Sequence, residues 1–586
     1  MSKEVYALKY DLTTKKITSI TTDMFENSVC NAVSSSPEAA SEPEESVLEG
    51  TDGEILIDPS QFPSYPPIPG PSTGKGLGTV IGTDNRVLVK DPSKSPYYWI
   101  FCLDVIYGNV TYSGTGFAIG NRVIMTCAHL IYNSRTGIWA DRVKVSSKEG
   151  STFRFVGEAS GLVRSKLYES QDADDWGFIL LPSSHDKGYM GDKWLSSCPT
   201  EEVSISGFPG FVKGKATSDM WTERGKLVGL AGTELSYTID TSGGNSGSPI
   251  HFKKYKDIED AYACGVHCSG EDDMNYGRVI DKRLFQFINW LTFAPNFDHE
   301  LFGKRWKNYY SATSTFEFDG KTYLFGHTSH NNRWSISEFD PVGKNFEKEV
   351  SSGNWHNFYP SVQIFTYEKK LYMFAQSNTT CRWFVSEFNT SSKNFETELC
   401  SGFWNNYYPI TKVFYYKDKP YLFGLSKSKW WFVSKFDTFS KNFETELCNG
   451  SWYRFYDTVE IFEAEGAVLM LGQSKTDKRW FVSRLNSSMD FEEELANGYW
   501  KNYYEVAKVF HLDKNVCLFA HSSDGNLWFT SRYDEATHNF ESRQDDGRWK
   551  NFYGVDEIFT VQKETFLFGQ AEERNRSFVA VCEVKR

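Results

Sequence analysis

Residues 241–250 read Thr-Ser-Gly-Gly-Asn-Ser-Gly-Ser-Pro-Ile, a segment typical of a loop that presents a nucleophilic serine. A serine hydroxyl is a weak nucleophile, and it needs a base beside it and hydrogen-bond donors facing the oxyanion that it creates. Glycines before Ser246 allow a tight turn, so that the backbone N–H groups of Gly244 and Ser246 can point into one oxyanion hole. The segment therefore predicts a reactive Ser246, against the alternative of an ordinary surface loop.

Two segments upstream supply a candidate base and a candidate acid. Residues 114–129 read as two short apolar strands around a Gly-Asn turn and end at His129. Asp174 and Asp175 open an apolar strand, where an acid can be buried against an imidazole and fix its tautomer. Considered separately, His129 could be an ordinary buried histidine, and the aspartates could be ordinary turn residues. Their chain order of His, Asp and Ser is that of the chymotrypsin-like triad.

Composition excludes several classes of protein. At 586 residues the chain is long enough for two or more domains with full cores. A net charge of −13 argues against a nucleic-acid partner, since phosphate binding needs basic patches. No apolar run approaches the roughly 20 residues that span a bilayer. No Cys/His cluster has zinc spacing, so we expect neither a metal nor a cofactor.

The chain changes character twice along its length. Residues 1–79 are expected to form a disordered leader or pro-segment, because residues 34–46 are polar and acidic and residues 63–78 are rich in proline and glycine. Residues 80–293 contain short apolar strands broken by Gly, Asn and Pro, a pattern that predicts an all-β double barrel. Apolar residues near helical spacing over residues 283–291 predict a helix that closes this domain.

A repeat fills residues 294–586. Each of six units carries a tryptophan followed by a Tyr/Phe pair, with spacings of 49, 49, 48, 48 and 49 residues: Trp306, Trp355, Trp404, Trp452, Trp500 and Trp549. Four strands in each such unit are the signature of a propeller blade. The sequence therefore predicts a six-bladed β-propeller, with a linear β-solenoid as the alternative. The repeated aromatics either wedge blades together or form pockets for sugar rings.

Residues 126–129, 175–177 and 243–249 resemble the V8-like glutamyl endopeptidases, a branch of the chymotrypsin-fold serine proteases. Residues 80–86 resemble the start of a mature enzyme of that family. The resemblance covers residues 80–293 and implies a chymotrypsin-like double β-barrel with His129, Asp175 and Ser246 as its triad. Asp175 is chosen over Asp174 because it directly precedes the aromatic-Gly pair. Cys127 departs from the family's small residue; we expect it behind the histidine, where it need not take part in the chemistry.

The same resemblance implies a substrate preference. The family has a histidine and a threonine in its S1 pocket, matched here by His267 and Thr241, and it also uses the α-amino group of the mature N-terminus, here that of Val80. An imidazole, a hydroxyl and an ammonium can together hold a carboxylate. The expected activity is therefore that of a serine endopeptidase cleaving proteins or peptides after Glu, with Asp as the alternative.

Other functions stay open at this point. The repeats loosely resemble propeller lectins, so the expected partner of residues 294–586 is a glycan or a protein. The main alternative is a propeller adhesin with an idle protease-like domain; an esterase or acyltransferase on the same triad is a third. The family is mostly exported, whereas the first ten residues lack the apolar core of a secretory signal, so the compartment is left open.

Overall fold

The regular structure before residue 294 is almost entirely β-strand, as the short apolar segments predict. A computed structural model describes residues 4–25, 78–169, 174–185, 187–252, 261–271, 273–297, 300–306, 309–535, 537–541, 543–571 and 576–585. The chain divides into two units, with the boundary between Phe293 and Ala294.

Within the described residues, the first unit contains twenty-two strands and two α-helices. The strands are β1 (Val5–Asp11), β2 (Ile17–Thr21), β3 (Val87–Leu88), β4 (Ile100–Tyr107), β5 (Val110–Gly120), β6 (Val123–Thr126), β7 (Tyr132–Asn133), β8 (Ile138–Trp139), β9 (Arg142–Glu149), β10 (Thr152–Glu158), β11 (Gly161–Ser165), β12 (Gly177–Leu180), β13 (Gly191–Asp192), β14 (Val203–Gly207), β15 (Phe211–Val212), β16 (Lys215–Ala216), β17 (Trp221–Gly225), β18 (Leu227–Ala231), β19 (Glu234–Tyr237), β20 (Pro249–Phe252), β21 (Tyr262–Glu271) and β22 (Met274–Val279). The helices are α1 (Ala128–Ile131) and α2 (Lys282–Leu291).

Two nine-stranded sheets build this unit. The first has the order β10-β9-β4-β5-β6-β12-β11-β1-β2; the second has the order β18-β19-β22-β21-β20-β14-β17-β3, with β13 paired to β21. The fold is the chymotrypsin-like double β-barrel that the sequence predicts. Helix α2 follows the second sheet, and its first turn is capped by Asp281, whose Oδ1 accepts the Leu284 N–H at 2.8 Å.

Residues 5–21 form a hairpin where the sequence predicted a disordered leader. β1 pairs with both β2 and β11, so that the hairpin extends the first sheet at its edge. Its apolar side chains enter the core of the unit: Tyr6, Ala7, Ile20 and Phe25 are buried. The prediction of disorder is therefore wrong for these residues, because they supply enough apolar surface to dock. Residues 26–77, with the acidic and Pro/Gly-rich segments, lie outside the described residues.

Twenty-six strands follow Phe293 in the described part of the chain. They are β23 (Ala294–Asn296), β24 (Glu300–Arg305), β25 (Ala312–Phe318), β26 (Lys321–His327), β27 (Arg333–Asp340), β28 (Asn345–Asn354), β29 (Ser361–Tyr367), β30 (Lys370–Gln376), β31 (Arg382–Asn389), β32 (Asn394–Phe403), β33 (Ile410–Tyr416), β34 (Lys419–Leu425), β35 (Trp430–Asp437), β36 (Asn442–Ser451), β37 (Thr458–Ala464), β38 (Ala467–Gln473), β39 (Arg479–Arg484), β40 (Glu493–Tyr499), β41 (Val506–Leu512), β42 (Asn515–His521), β43 (Leu527–Arg532), β44 (Arg543–Arg548), β45 (Val555–Val561), β46 (Glu564–Ala571), β47 (Arg576–Val581) and β48 (Glu583–Lys585).

Six four-stranded antiparallel sheets form a propeller ring. Five of them use consecutive strands, from β25–β28 to β41–β44, whereas the sixth has the order β24-β47-β46-β45. Its outer strand therefore comes from the start of the unit and the other three from its end. The innermost strands β25 and β45 also contact each other. This closure excludes the linear solenoid. It also means that a repeat of the sequence and a blade of the structure do not begin at the same strand: each is shifted by one strand relative to the other.

The repeated tryptophans pack between neighbouring blades. The ring of Trp355 lies 5.3 Å from Phe384 of the next blade and 5.5 Å from Tyr359, both edge to face. Trp404 makes the same contacts with Phe432 and Tyr408 one blade further on. Edge-to-face contacts of this kind stabilise beyond their buried area. The geometry fits the interpretation of these aromatics as wedges.

The hairpin can be tested by truncating its most buried ring. Tyr6 packs 4.9 Å from Phe25, 5.4 Å from Trp176 and 5.3 Å from Phe287. Tyr6→Ala should lower the free energy of unfolding of the first unit by about 3 kcal/mol, as for other buried aromatic rings. Urea denaturation measures this. Ile17→Ala, on the exposed side of β2, is the control and should cost less than about 1 kcal/mol. Equal costs would show that the hairpin does not belong to the core.

Candidate active site

The loop that carries Ser246 joins β19 to β20 and depends on two glycines in left-handed conformations. Gly244 has a φ of +98° and Gly247 a φ of +86°, a region that only glycine enters readily. A side chain at Gly244 would also overlap the Phe208 carbonyl, and one at Gly247 the Thr115 carbonyl. The loop makes the tight turn expected from the sequence, and both its backbone angles and the lack of space require glycine at these two positions.

Pairing of β6 with β12 brings the base and the acid together. His129 lies in α1, directly after β6, and Asp175 precedes β12; Thr126 pairs with Gly177. His129 Nδ1 is 2.6 Å from Asp175 Oδ2, and the His129 backbone N–H donates to Asp175 Oδ1 at 3.0 Å. Both side chains are buried. Because Nδ1 donates its proton to the carboxylate, the lone pair of His129 is on Nε2.

The alternative acid, Asp174, has other partners. Its Oδ1 lies 2.8 Å from Nε of Arg278 and accepts the Trp176 indole N–H at 3.2 Å, and its Oδ2 contacts the Ser165 hydroxyl. The neighbouring carboxyls therefore differ in role: Asp175 faces His129, and Asp174 holds Arg278 in the core.

Cys127, which was expected behind the histidine, lies against the imidazole on the side of Nε2. Its Sγ is 3.5 Å from His129 Nε2. Burial raises the pKa of the Cys127 thiol well above its usual range, so that the group is an S–H donor to the Nε2 lone pair. Ser246 is 2% exposed, and its buried Oγ has no hydrogen-bond partner among the described residues. In free enzymes such catalytic bonds are often loose and tighten with substrate.

The backbone near Ser246 leaves two N–H donors without partners. Gly243 O accepts the Gly210 N–H at 2.7 Å, and a trans peptide points its N–H away from its carbonyl. The Gly244 N–H therefore faces away from Gly210. Among the described residues, neither the Gly244 nor the Ser246 N–H donates a hydrogen bond. These are the two donors that the sequence assigned to the oxyanion hole.

His267 is joined to the Ser246 loop through the backbone of β21. Its N–H donates to Ser248 O, and its carbonyl accepts the Gly247 N–H, both at 2.9 Å. The side chain is fully buried, with Nδ1 2.7 Å from the Tyr237 hydroxyl. Tyr237 donates in turn to Tyr276 O at 3.0 Å.

Asn275 connects the other two S1 candidates and was not found from the sequence. Its Oδ1 accepts the Thr241 hydroxyl at 2.8 Å and the Thr79 N–H at 2.9 Å, and its Nδ2 donates to Thr79 O at 2.8 Å. Thr241 N also donates to Thr79 O at 3.0 Å. Val80 is thus held next to Thr241 through the residue before it. Asn275 lies on β22, and only strand pairing brings it to this place.

Asp240 anchors the segment that follows Val80. Its two carboxylate oxygens accept the Ile81 and Asn85 N–H groups, each at 2.8 Å. Residues 81–85 are therefore fixed against the loop that leads to Ser246.

A cavity of about 390 Å³ opens beside His129. Four tyrosines line much of it: Tyr107, Tyr112, Tyr132 and Tyr168. The same region holds the closest group of metal-ligand types in the described part of the chain, since ligand atoms of Cys127, His129 and Asp175 lie within 4.8 Å of one another. Among the described residues, no helix is long and apolar enough to cross a membrane.

Comparison with known proteins shows that about a third of the chain is similar in sequence to bacterial proteases. A glutamyl endopeptidase of Bacillus licheniformis is 30% identical over 235 residues, which are 37% of this chain and 71% of the relative. A protein of Bacillus subtilis named extracellular metalloprotease is 28% identical over 36% of this chain and 69% of the relative. No protein-family model matches the chain.

A solved structure described as Glu endopeptidase in complex with MPD is 22% identical, covers 36% of this chain and 99% of its own, and has a TM-score of 0.29.

The double β-barrel and the similarity to the Bacillus licheniformis glutamyl endopeptidase define the first unit as a serine endopeptidase of the chymotrypsin-like class. The chain belongs to the glutamyl endopeptidase family. This assignment covers about a third of the chain, and the propeller lies outside it.

Proposed function

We propose that the protein cleaves peptide bonds after Glu, with Asp as the alternative, by a triad of His129, Asp175 and Ser246. The observation that carries this proposal is the buried His129–Asp175 pair, whose Nδ1–Oδ2 distance is 2.6 Å. It fixes the tautomer in which Nε2 is able to take a proton from serine.

The steps follow from these positions. Ser246 Oγ attacks the scissile carbonyl while His129 Nε2 takes its proton, and Asp175 stabilises the imidazolium that forms. The N–H groups of Gly244 and Ser246 stabilise the oxyanion. His129 then gives its proton to the leaving amine. A water molecule, activated by the same base, hydrolyses the acyl-enzyme and releases Ser246.

Tyr237 sets the form in which His267 would bind the substrate carboxylate. Burial raises the pKa of Tyr237 well above its usual range, so the hydroxyl keeps its single proton. That proton is donated to Tyr276 O, and the hydroxyl oxygen therefore accepts Nδ1–H from His267. His267 can then offer Nε2–H to a carboxylate only as an imidazolium. The resulting hydrogen bond is charge-assisted and favours an acidic side chain.

The triad assignment is tested by two neighbouring carboxyls. Asp175→Asn should lower kcat on a Glu peptide by roughly 10⁴, as expected when the wrong imidazole tautomer is held. Ser246→Ala should remove the activity. Asp174→Asn is the matched control; it should reduce stability through loss of the Arg278 ion pair while leaving kcat of the folded fraction within about threefold. A larger kcat loss for Asp174→Asn than for Asp175→Asn would overturn the assignment.

We also propose that the intact leader keeps the S1 pocket incomplete. Gly78 lies against Gly270 and the Thr241 hydroxyl, and the Thr79 backbone pairs with Asn275 and Thr241. Cleavage between Thr79 and Val80 would release these groups and create an ammonium beside Thr241. The bonds of Asp240 would keep residues 81–85 in place. The N-terminal hairpin of the leader would stay bound after cleavage, because β1 pairs with β11 of the protease domain.

A variant of the chain allows the bond between residues 79 and 80 to be cut selectively with trypsin. Thr79→Arg lets trypsin cut directly before Val80, whereas in the natural chain Lys75 provides a cut that leaves residues 76–79 in place. The first product should prefer a Glu over a Gln substrate at least about tenfold more than the second, since a bond to a charged group is worth about 1.5–3 kcal/mol. N-terminal sequencing verifies each cut. Equal Glu preference in both products would contradict the role of Val80.

For the propeller we propose docking of a glycan or protein, supported by one aromatic surface on the blade β33–β36. In the neighbouring blades Arg382 and Arg479 form ion pairs with Glu398 and Glu494 across the two outer strands. Trp430 replaces the arginine in this blade.

Trp430 is 40% exposed and the nearby Tyr453 87% exposed, and Lys429 lies 5.9 Å from the Tyr453 ring. Exposed aromatic groups of this kind mark interaction sites. The full chain carrying Ser246→Ala should bind members of a glycan array, and Tyr453→Ala should abolish that binding. Phe439→Ala, at an equally exposed ring on a turn of the same blade, is the control. Absence of any retained glycan would overturn the glycan form of the proposal.

A further inference from the structure

Cys127 and His129 are in contact, and both have side chains that commonly bind metal ions. The peptidase mechanism uses His129 as a base but gives no role to this contact. Cys127 Sγ is 3.5 Å from His129 Nε2, and both residues are buried. In the described part of the chain, this pair belongs to the one group of three His, Cys or acidic residues whose ligand atoms could share an ion. Cysteine and histidine are the preferred ligands of Zn²⁺.

We propose that Cys127 Sγ and His129 Nε2 bind a soft divalent cation, of which Zn²⁺ is the representative, and that its binding switches the peptidase off. The inhibition rests on the proposed role of His129 as general base, whereas the binding itself does not.

The distance between the two ligand atoms suits a tetrahedral ion. Zn–S bonds of about 2.3 Å and Zn–N bonds of about 2.0–2.1 Å, at a tetrahedral angle, place sulfur and nitrogen roughly 3.5 Å apart. The observed distance is 3.5 Å. The thiol proton and a cation are therefore alternative partners for the same two atoms. The proton lies on the line between them and the ion lies to one side, so the thiol or the imidazole turns when they exchange.

Asp175 provides the outer contact that metal-binding histidines require. A ligating imidazole almost always donates its other N–H to a carboxylate or carbonyl, which fixes the ring and makes the ligand nitrogen more basic. His129 Nδ1 is 2.6 Å from Asp175 Oδ2, and the same carboxylate accepts the His129 backbone N–H. The pair that activates His129 as a base thus also orients Nε2 toward Cys127 as a ligand.

The remaining coordination positions would be filled by water. Ser246 is 2% exposed, and its Oγ has no hydrogen-bond partner among the described residues. The cavity of about 390 Å³ has His129 in its lining, which is the side from which we expect an ion to enter. Two protein ligands make an open site, unlike the closed four-ligand sites of structural zinc, so the binding is reversible.

Binding exchanges a proton for the ion without any transfer of electrons. Cys127 loses its S–H proton to solvent, the sulfur and the Nε2 lone pair each form a bond to Zn²⁺, and waters leave the ion. With its lone pair coordinated, His129 has no acceptor for the Ser246 proton, and acylation stops. Sulfur and nitrogen ligands select Zn²⁺ or Cd²⁺ over Mg²⁺ and Ca²⁺, so the hard cations should have no such effect.

Binding is measured by calorimetry on the chelator-treated full chain carrying Ser246→Ala, which cannot digest itself. Zn²⁺ should occupy one site that is lost when Cys127→Ala is added. Cys102→Ala is the matched control: this buried thiol lies 3.8 Å from the Ser113 hydroxyl, and its removal should leave the site intact. With Cd²⁺, the ultraviolet thiolate-to-metal band should follow the same pattern. Cys127→Ser serves in place of Cys127→Ala where the alanine variant does not fold.

Activity is then compared in the chain with Ser246 present. Saturating Zn²⁺ should lower kcat/KM on a Glu peptide at least tenfold, EDTA should restore it, and Cys127→Ala should be resistant. Unchanged Zn²⁺ affinity after loss of Cys127 would overturn the site. Binding that needs Cys127 but leaves kcat/KM unchanged would overturn the inhibition. A chain that binds Zn²⁺ at Cys127 yet never cleaves peptides would refute the proposed function and not the site.

Discussion

The pairing of β6 with β12 is the constraint on which the active-site geometry depends. It places Asp175 beside His129, with 2.6 Å between Oδ2 and Nδ1, inside a core that excludes water. Burial of an aspartate is costly unless its oxygens are satisfied, and here both accept protons from the same histidine. The tautomer, the direction of Nε2 and the contact with Cys127 all follow from this arrangement.

Much of the fold could be predicted because its signals are local or repeated. The glycines at 244 and 247 read as a tight turn and occupy left-handed conformations, and the tryptophan spacing of 48 to 49 residues predicted the six blades. The closure of the ring by β24 could not be read from any unit alone. The hairpin of residues 5–21 was missed since the polar composition of residues 34–46 dominated the interpretation of the whole leader.

The residues that sequence reasoning missed act through tertiary contacts. Asn275 reaches Thr241 and Thr79 because β22 pairs with β19, which places it opposite Tyr237 and close to the chain that leads to Thr241. Tyr237 on β19 contacts His267 on β21 across the intervening strand β22. The sequence shows Cys127 two residues before His129, but it does not show where the Cys127 side chain points, because that direction depends on the turn into α1. Spacing along a sequence carries no information on such contacts between distant strands.

The central claim is that the His129–Asp175 pair activates Ser246, and a fluorophosphonate probe tests it most directly. The chain cut before Val80 should be labelled in a 1:1 ratio, with the adduct on Ser246 in the peptide containing residues 241–250. His129→Ala and Ser246→Ala should not be labelled. A chain cut before Val80 that keeps its triad yet stays unlabelled, or an adduct that persists in Ser246→Ala, would contradict the account. The first result would favour a binding protein with an idle protease-like domain.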